Sequence, residues 1–224
     1  MLDLLIGALE EADEEGILVA ADWEKAFDRV GWDYLHSAVE ALGFGEGFQQ
    51  WIRAMYNPDH PPIRRAKANG HASEWFNILS GTPQGCPLSP LLFLLVSEAL
   101  TRAVNMDDML LGVQVAGRTL KLTQFADDTQ FLLRNFDQLA RMWFHIEAYE
   151  QATAMRANKL KFAGMRMGSS MRQPVPSNEY TEPIRFVAPG ESIKILGVPK
   201  VCRSVNGTTT SLSGKNCTAK PNAG

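Results

Sequence analysis

Two adjacent carboxylates, Asp127-Asp128, sit between two apolar runs, LKLTQFA before them and TQFLL after them. Apolar and polar positions alternate on both sides, as in short half-buried strands, so the segment reads as a hairpin with Ala126-Asp127-Asp128 at its sharp turn. Two like charges side by side at the end of an apolar hairpin are electrostatically awkward. One reading is an exposed turn, where Asp is a common residue. The other is a site where a divalent cation offsets the repulsion, because Mg²⁺ is commonly held by one or two carboxylates plus substrate phosphates.

The rest of the chain supplies a setting for such a hairpin. Apolar residues at Leu2, Leu5, Ile6 and Leu9 recur at helical spacing over residues 2–15, and Gly16 ends that pattern. Ile17 to Ala21 reads as a short buried strand. Trp32, Leu35, Val39 and Leu42 share one helical face, closed by Gly43, and a further helix runs from about Phe48 to Tyr56. Residues 63–79 read as a hairpin turning at Asn69-Gly70. The loop SGTPQGCPLSP leads into a helix from about Leu91 to Asn105. After the Asp pair come a helix over about Asp137 to Met155 and strands near Lys161–Met167, Ile184–Val187 and Ile193–Val198. Strands and helices in this order, with antiparallel hairpins, imply an α+β fold with helices on one sheet face.

Composition narrows the function class. With 224 residues and 45% hydrophobic content there is material for one sizeable core. A net charge of −3 is unlike a protein that wraps nucleic acid, which usually carries a basic excess. Cys86, Cys202 and Cys217 form no C-x-x-C pair and the four histidines are scattered, so a zinc site is not expected. No secretory signal pattern opens the chain, and its most apolar run, Leu91 to Val96, is too short to cross a bilayer. The expectation is an intracellular protein, nuclear or cytoplasmic, without a membrane partner.

Asp22 ends the strand ILVAA, where an apolar strand runs into polar sequence. Alone it could equally be a helix cap or loop residue. If its strand neighbours the Asp127-Asp128 hairpin in one sheet, the three carboxylates meet and could hold two metal ions roughly 3.5–4 Å apart. The runs ADWEKAFDRVGWDYL, SGTPQGCPLSPLLF and FADD, in this order and spacing, resemble the reverse transcriptases of non-LTR (LINE-type) retrotransposons over roughly residues 2–198. The resemblance implies a right-hand polymerase palm, an antiparallel sheet with helices packed on one face, preceded by the end of the fingers. It implies RNA-directed DNA synthesis by two-metal nucleotidyl transfer, with two Mg²⁺ ions or Mn²⁺ in their place. The implied partners are an RNA template, a DNA primer and deoxynucleoside triphosphates.

Residue by residue, the resemblance makes Asp22, Asp127 and Asp128 the catalytic, metal-binding carboxylates, with the Trp23 carbonyl as a further metal contact. Phe27 falls at an aromatic steric gate that would clash with a ribose 2′-hydroxyl; without the resemblance it would read as core. Gln84 and Gly85 would line the nucleotide and template pocket, Gly85 letting the backbone approach closely. Lys161, within Asn158-Lys159-Leu160-Lys161, would protonate the pyrophosphate; a solvated surface lysine is the competing reading. Ile195 to Val198 resembles a hairpin that grips the primer. Lys25 and Asp28 read as structural or as an exposed pair, and Cys86 as a packing residue.

The resemblance also implies parts that the sequence does not match. Fingers strands should precede residue 1 and a helical thumb should follow Val198. Instead residues 199–224 hold no Asp or Glu, four basic residues and a run of Thr, Ser, Asn and Gly, the composition of a disordered, non-homologous tail. Ser80 and Pro83 stand where many relatives carry arginine. These departures lead to the expectation of a truncated, element-derived reading frame, with residues 1–198 as the reverse transcriptase domain and no complete thumb. The alternative function is an inactive palm remnant that at most binds nucleic acid.

Overall fold

The run EGILVAA forms strand β1 (Glu15–Ala21), buried along nearly its whole length because both of its faces are covered. Ile17, Val19 and Ala21 face the helices, while Leu18 faces a second, smaller cluster with Leu132, Met165, Met167 and Ile193. This computed structural model describes residues 14–115, 117–195 and 198–201, together with Gly7 and Leu9. Gly7 and Leu9 are helical, and the remainder of the helix expected over residues 2–13 lies outside the described residues. That helix does not extend to residue 15, since Glu15 already pairs in the sheet.

After β1 come a four-residue helix α1 (Ala26–Arg29), α2 (Trp32–Ala41) and α3 (Glu46–Met55). A two-stranded ribbon follows, built from β2 (Ile63–Arg64), β3 (Lys67–Ala68), β4 (His71–Ala72) and β5 (Phe76–Asn77). Its tip is Asn69-Gly70, both at positive φ (49° and 82°), the turn geometry that Asn-Gly favours. The long helix α4 (Ser89–Met106) opens with Pro90 in its first turn. A small hairpin, β6 (Val113–Val115) with β7 (Arg118–Leu120), precedes β8 (Leu122–Phe125) and β9 (Asp128–Leu133). Helix α5 (Leu139–Thr153), β10 (Ala163–Gly168), β11 (Arg185–Phe186), β12 (Ser192–Ile195) and β13 (Val198–Val201) complete the described chain.

The central sheet has the order β11-β10-β1-β9-β8, antiparallel except for the β10–β11 pair. Helices α4 and α5 pack beneath it: Leu92, Phe93, Val96, Leu100, Met142 and Ile146 join Ile17 and Val19 in one buried cluster. The α+β palm architecture expected from the sequence is the one observed. β13 pairs antiparallel with β12 and runs to Val201, so the expected limit at residue 199 falls inside a strand. Leu196 and Gly197 of the expected primer-gripping hairpin, and residues 202–224, lie outside the described residues.

Candidate active site

β1 pairs with β9 from Ile17↔Leu133 to Ala21↔Thr129. One step further along this register, Asp22 and Asp128 stand on adjacent strand ends. β8 and β9 are joined at Phe125↔Asp128, leaving Ala126 and Asp127 as the two-residue turn. Ala126 takes φ +52°, as a tight hairpin turn requires. The turn therefore carries Asp127 at its tip, and Asp128 is the first residue of β9 rather than part of the turn. Asp127 and Asp128 are exposed and Asp22 is half-buried. All three aspartates thus share one edge of the sheet.

A buried polar network beneath these residues sets their spacing. The Trp23 indole N–H donates to the Thr129 hydroxyl at 3.0 Å, linking the residue after Asp22 to the residue after Asp128. The Gln124 amide donates to the same hydroxyl at 3.1 Å, and the Thr101 hydroxyl on α4 bonds the Gln124 carbonyl oxygen. Thr129 is 1% exposed, so its hydroxyl has no recourse to water. Sequence reading missed this network, although Thr129 and Gln130, polar residues inside an apolar strand, were its available signal.

The other edge of β1 docks the segment 158–161. The Asn158 N–H donates to the Asp22 carbonyl at 2.8 Å, and the Glu24 N–H donates to the Arg156 carbonyl at 2.8 Å. These bonds flank the Trp23–Ala157 bridge. In-plane alternation then turns the Trp23 carbonyl away from Ala157, toward the β9 side where the aspartates lie. The Lys161 ammonium sits 3.2 Å from an Asp22 carboxylate oxygen. Lys159 points elsewhere, its ammonium 5.0 Å above the Trp143 ring, and Phe162 stacks on the same tryptophan at 5.2 Å. The structure therefore brings Lys161, not Lys159, to Asp22.

Phe27 is the second residue of α1 and stacks on Phe93 at 4.4 Å, which fixes its half-buried ring. The SGTPQG loop is bound to the same stretch of chain. Thr82 N–H donates to the Phe27 carbonyl at 2.7 Å, Gly81 N–H to the Val30 carbonyl at 2.8 Å, and the Ser80 hydroxyl to the Asp28 carbonyl at 3.0 Å. Gly81 is the glycine of close approach: at φ +83°, a Cβ there would lie 2.5 Å from the Asp28 carbonyl oxygen. Gly85 is different. Among the described residues, its two chain neighbours aside, nothing lies within 4 Å of its Cβ position, and its φ of +86° is what calls for glycine. Close approach at Gly85 would be to a bound molecule. Gln84 and Gly85 are exposed at the loop's turn, with Gln84 two residues from the Thr82 anchor.

Cys86 remains a free, half-buried thiol, held below its usual range by the Leu88 N–H and by Ser89. Lys25 and Asp28 are exposed and do not pair; the ion pair in this segment is Arg29–Glu24, at 2.7 Å. Away from the site, Asp107 caps the end of α4. Arg141 and His145 each contact its Oδ2 at 2.6 Å, and the Met109 N–H donates to Oδ1 at 2.9 Å. The Arg141 guanidinium, with His145 and that N–H, holds the Asp107 carboxyl well below the usual carboxylate range.

Among the described residues no three His, Cys, Asp or Glu side chains already converge as a metal cage. The donor set still fits hard divalent cations, which take oxygen ligands. Strand register brings the aspartates to one edge, and a cation, the Lys161 ammonium, already rests against Asp22.

The sequence profile of the family described as reverse transcriptase (RNA-dependent DNA polymerase) matches residues 3–199. The chain is 30% identical over 158 residues to the transposon TX1 uncharacterized 149 kDa protein of Xenopus laevis, covering 67% of this chain and 11% of that protein. It is 27% identical over 180 residues to a retrovirus-related Pol polyprotein from the type-1 retrotransposable element R2 of Popillia japonica, covering 80% of this chain and 28% of that protein. The chain thus spans only a small part of these relatives. Among solved structures, apo telomerase from Candida tropicalis truncated from its C-terminal domain superposes with a TM-score of 0.59 at 14% identity, over 90% of this chain and 37% of that one. Telomerase from Candida tropicalis in complex with a TWJ fragment of telomeric RNA gives 0.60 at 11% identity, over 99% and 34%. These two show the shared fold. Carboxylates on adjacent strand ends, an SGTPQG loop bound to the Phe27 turn and a family match across most of the chain agree: this chain is a reverse transcriptase domain and belongs to the reverse transcriptase family of retrotransposon polyproteins.

Proposed function

We propose that this domain adds deoxynucleotides to a primer 3′-hydroxyl on an RNA template. The observation that carries the proposal is the register of β1 against β9, which sets Asp22 beside Asp128 with Asp127 at the adjoining tip. Asp22, Asp127 and the Trp23 carbonyl would hold the divalent cations, with Asp128 as the less tightly bound neighbour. When bound, such ions activate the attacking hydroxyl and neutralise the leaving pyrophosphate. Lys161, already at 3.2 Å from Asp22, would hold the proton given to that pyrophosphate. The Phe27 ring, braced by Phe93, would exclude a ribose 2′-hydroxyl. Gln84 and Gly85, exposed beside the Phe27 turn, would meet the incoming nucleotide and the template base. An RNA partner is supported by the telomerase fold relative, whose structure contains telomeric RNA.

The test is extension of a labelled DNA primer annealed to RNA, with all four deoxynucleotides and Mg²⁺ or Mn²⁺. Extension that ceases on chelation supports the proposal. Absence of extension by folded chain, with either metal, refutes activity in this chain and favours the idle palm remnant.

A further inference from the structure

The ribbon of β2 to β5 projects from the domain with every residue from 62 to 77 exposed. Among the described residues its strands pair only with one another: Ile63↔Asn77 and Arg64↔Phe76 at the base, Lys67↔Ala72 and Ala68↔His71 near the tip. Between them the Ser73 N–H donates to the Ala66 carbonyl at 2.9 Å and the Ala66 N–H donates to the Ser73 hydroxyl at 2.9 Å. A ribbon this thin has no core of its own, so its surface residues are free to serve a ligand. They have a distinct chemistry. Arg64, Arg65 and Lys67 face a single carboxylate, Glu74, within residues 62–77 of a chain whose net charge is −3. Trp75 is 61% exposed, and the Arg65 guanidinium lies 4.8 Å from its ring centroid. The ribbon also leads straight into the candidate site: β5 ends at Asn77, and the chain that follows is bound to the Phe27 turn through Ser80, Gly81 and Thr82 before it reaches Gln84.

We propose that this ribbon is a binding surface for a single-stranded polynucleotide continuing away from the Gln84 loop. Trp75 is the platform on which a base stacks, and Arg64, Arg65 and Lys67 contact the phosphates. Aromatic rings stack with any base, and cations beside them track the backbone, so the surface reads strandedness rather than sequence. Charge complementarity selects this occupant: an exposed tryptophan with Arg65 beside its ring, on a ribbon with a basic excess, suits a polyanion with flat faces and ill suits an apolar protein segment. The placement next to the Gln84 loop rests on the polymerase reading above; the chemistry of the ribbon does not.

The experiment is fluorescence anisotropy of labelled 12-nucleotide RNA, DNA of the same sequence, and the corresponding duplex. The full chain is titrated at low salt without metal or nucleotide. Binding therefore reports on the ribbon even if no polymerisation is ever detected. Both single strands should bind more tightly than the duplex. Trp75→Ala should weaken RNA binding about tenfold, Trp75→Phe should restore most of it, and Arg64→Ala/Arg65→Ala should flatten the salt dependence. Circular dichroism confirms that the variants fold, which the exposure of the ribbon leads us to expect. The proposal is overturned if folded wild-type chain binds neither single strand, if it prefers duplex, or if the Trp75 and arginine variants bind as the wild type does.

Discussion

Removing the Thr129 hydroxyl should loosen the register on which the site depends. In Thr129→Val the side chain keeps its shape, so no cavity is opened, but two donors lose their acceptor. The Trp23 indole N–H, at 3.0 Å in the native protein, belongs to a residue 5% exposed and has no water to turn to. A buried donor left unsatisfied costs about 1–3 kcal/mol. The half-buried Gln124 amide, at 3.1 Å, can reorient toward solvent and adds less. A loss of about 2 kcal/mol in unfolding free energy follows, equivalent to a fall of about 1 M in the urea midpoint at an ordinary slope. Trp23→Phe removes the same bond from the other side. The double variant should therefore be more stable than the sum of the two losses predicts, with a coupling of about 1 kcal/mol. Urea unfolding of all four chains, followed by circular dichroism, measures this. A Thr129→Val midpoint indistinguishable from wild type, or strictly additive losses, would refute the reasoning.

Three further outcomes follow from the same geometry. Gly81→Ala should destabilise the domain by more than the 1–2 kcal/mol of left-handed backbone strain alone, because its Cβ would overlap Asp28; Gly85→Ala, with open space, should show only that strain, and thermal melts of the two variants compare them. The folded-state value of Asp107 lies below its unfolded value, so its contribution to stability is complete above about pH 4–5 and drains away as pH falls below that. Asp107→Asn should thus cost about 2–3 kcal/mol at pH 7, and the gap from wild type in urea midpoint should close toward pH 3. Phe27→Ala should lower discrimination between deoxynucleotides and ribonucleotides by about tenfold or more, read as a ratio of kcat/KM values in primer extension.

The palm was legible because its main signals are local. β1 is an apolar run that leads into Asp22 and β9 one that opens on Asp128, and α2, α4 and α5 repeat apolar residues at helical spacing around glycine, proline and Asn-Gly breaks. Other features depend on contacts between distant residues. Gly81 and Gly85 look alike in sequence; only the packing of Asp28 against Gly81 separates them. The Trp23–Thr129 bond spans residues 106 apart. Asp107 carried no signal until α5 placed Arg141 and His145, one turn apart, on the same carboxylate. Lys159 and Lys161 lie two residues apart, and it is the packing of Lys159 on Trp143 and the contact of Lys161 with Asp22 that separate them. The pairing of Pro199 and Lys200 with β12 is likewise a cross-strand contact, and nothing local in the sequence announces it.

The central claim is that the aspartates on this sheet edge carry metal-dependent nucleotidyl transfer. It is tested most directly by single-nucleotide incorporation into a DNA primer on RNA, wild type beside Asp127→Asn. Asp127 lies at an exposed turn tip, so the substitution leaves packing intact and equal unfolding midpoints are expected. The account predicts incorporation by the wild type and none measurable by the variant. Incorporation at the wild-type rate by Asp127→Asn would contradict it.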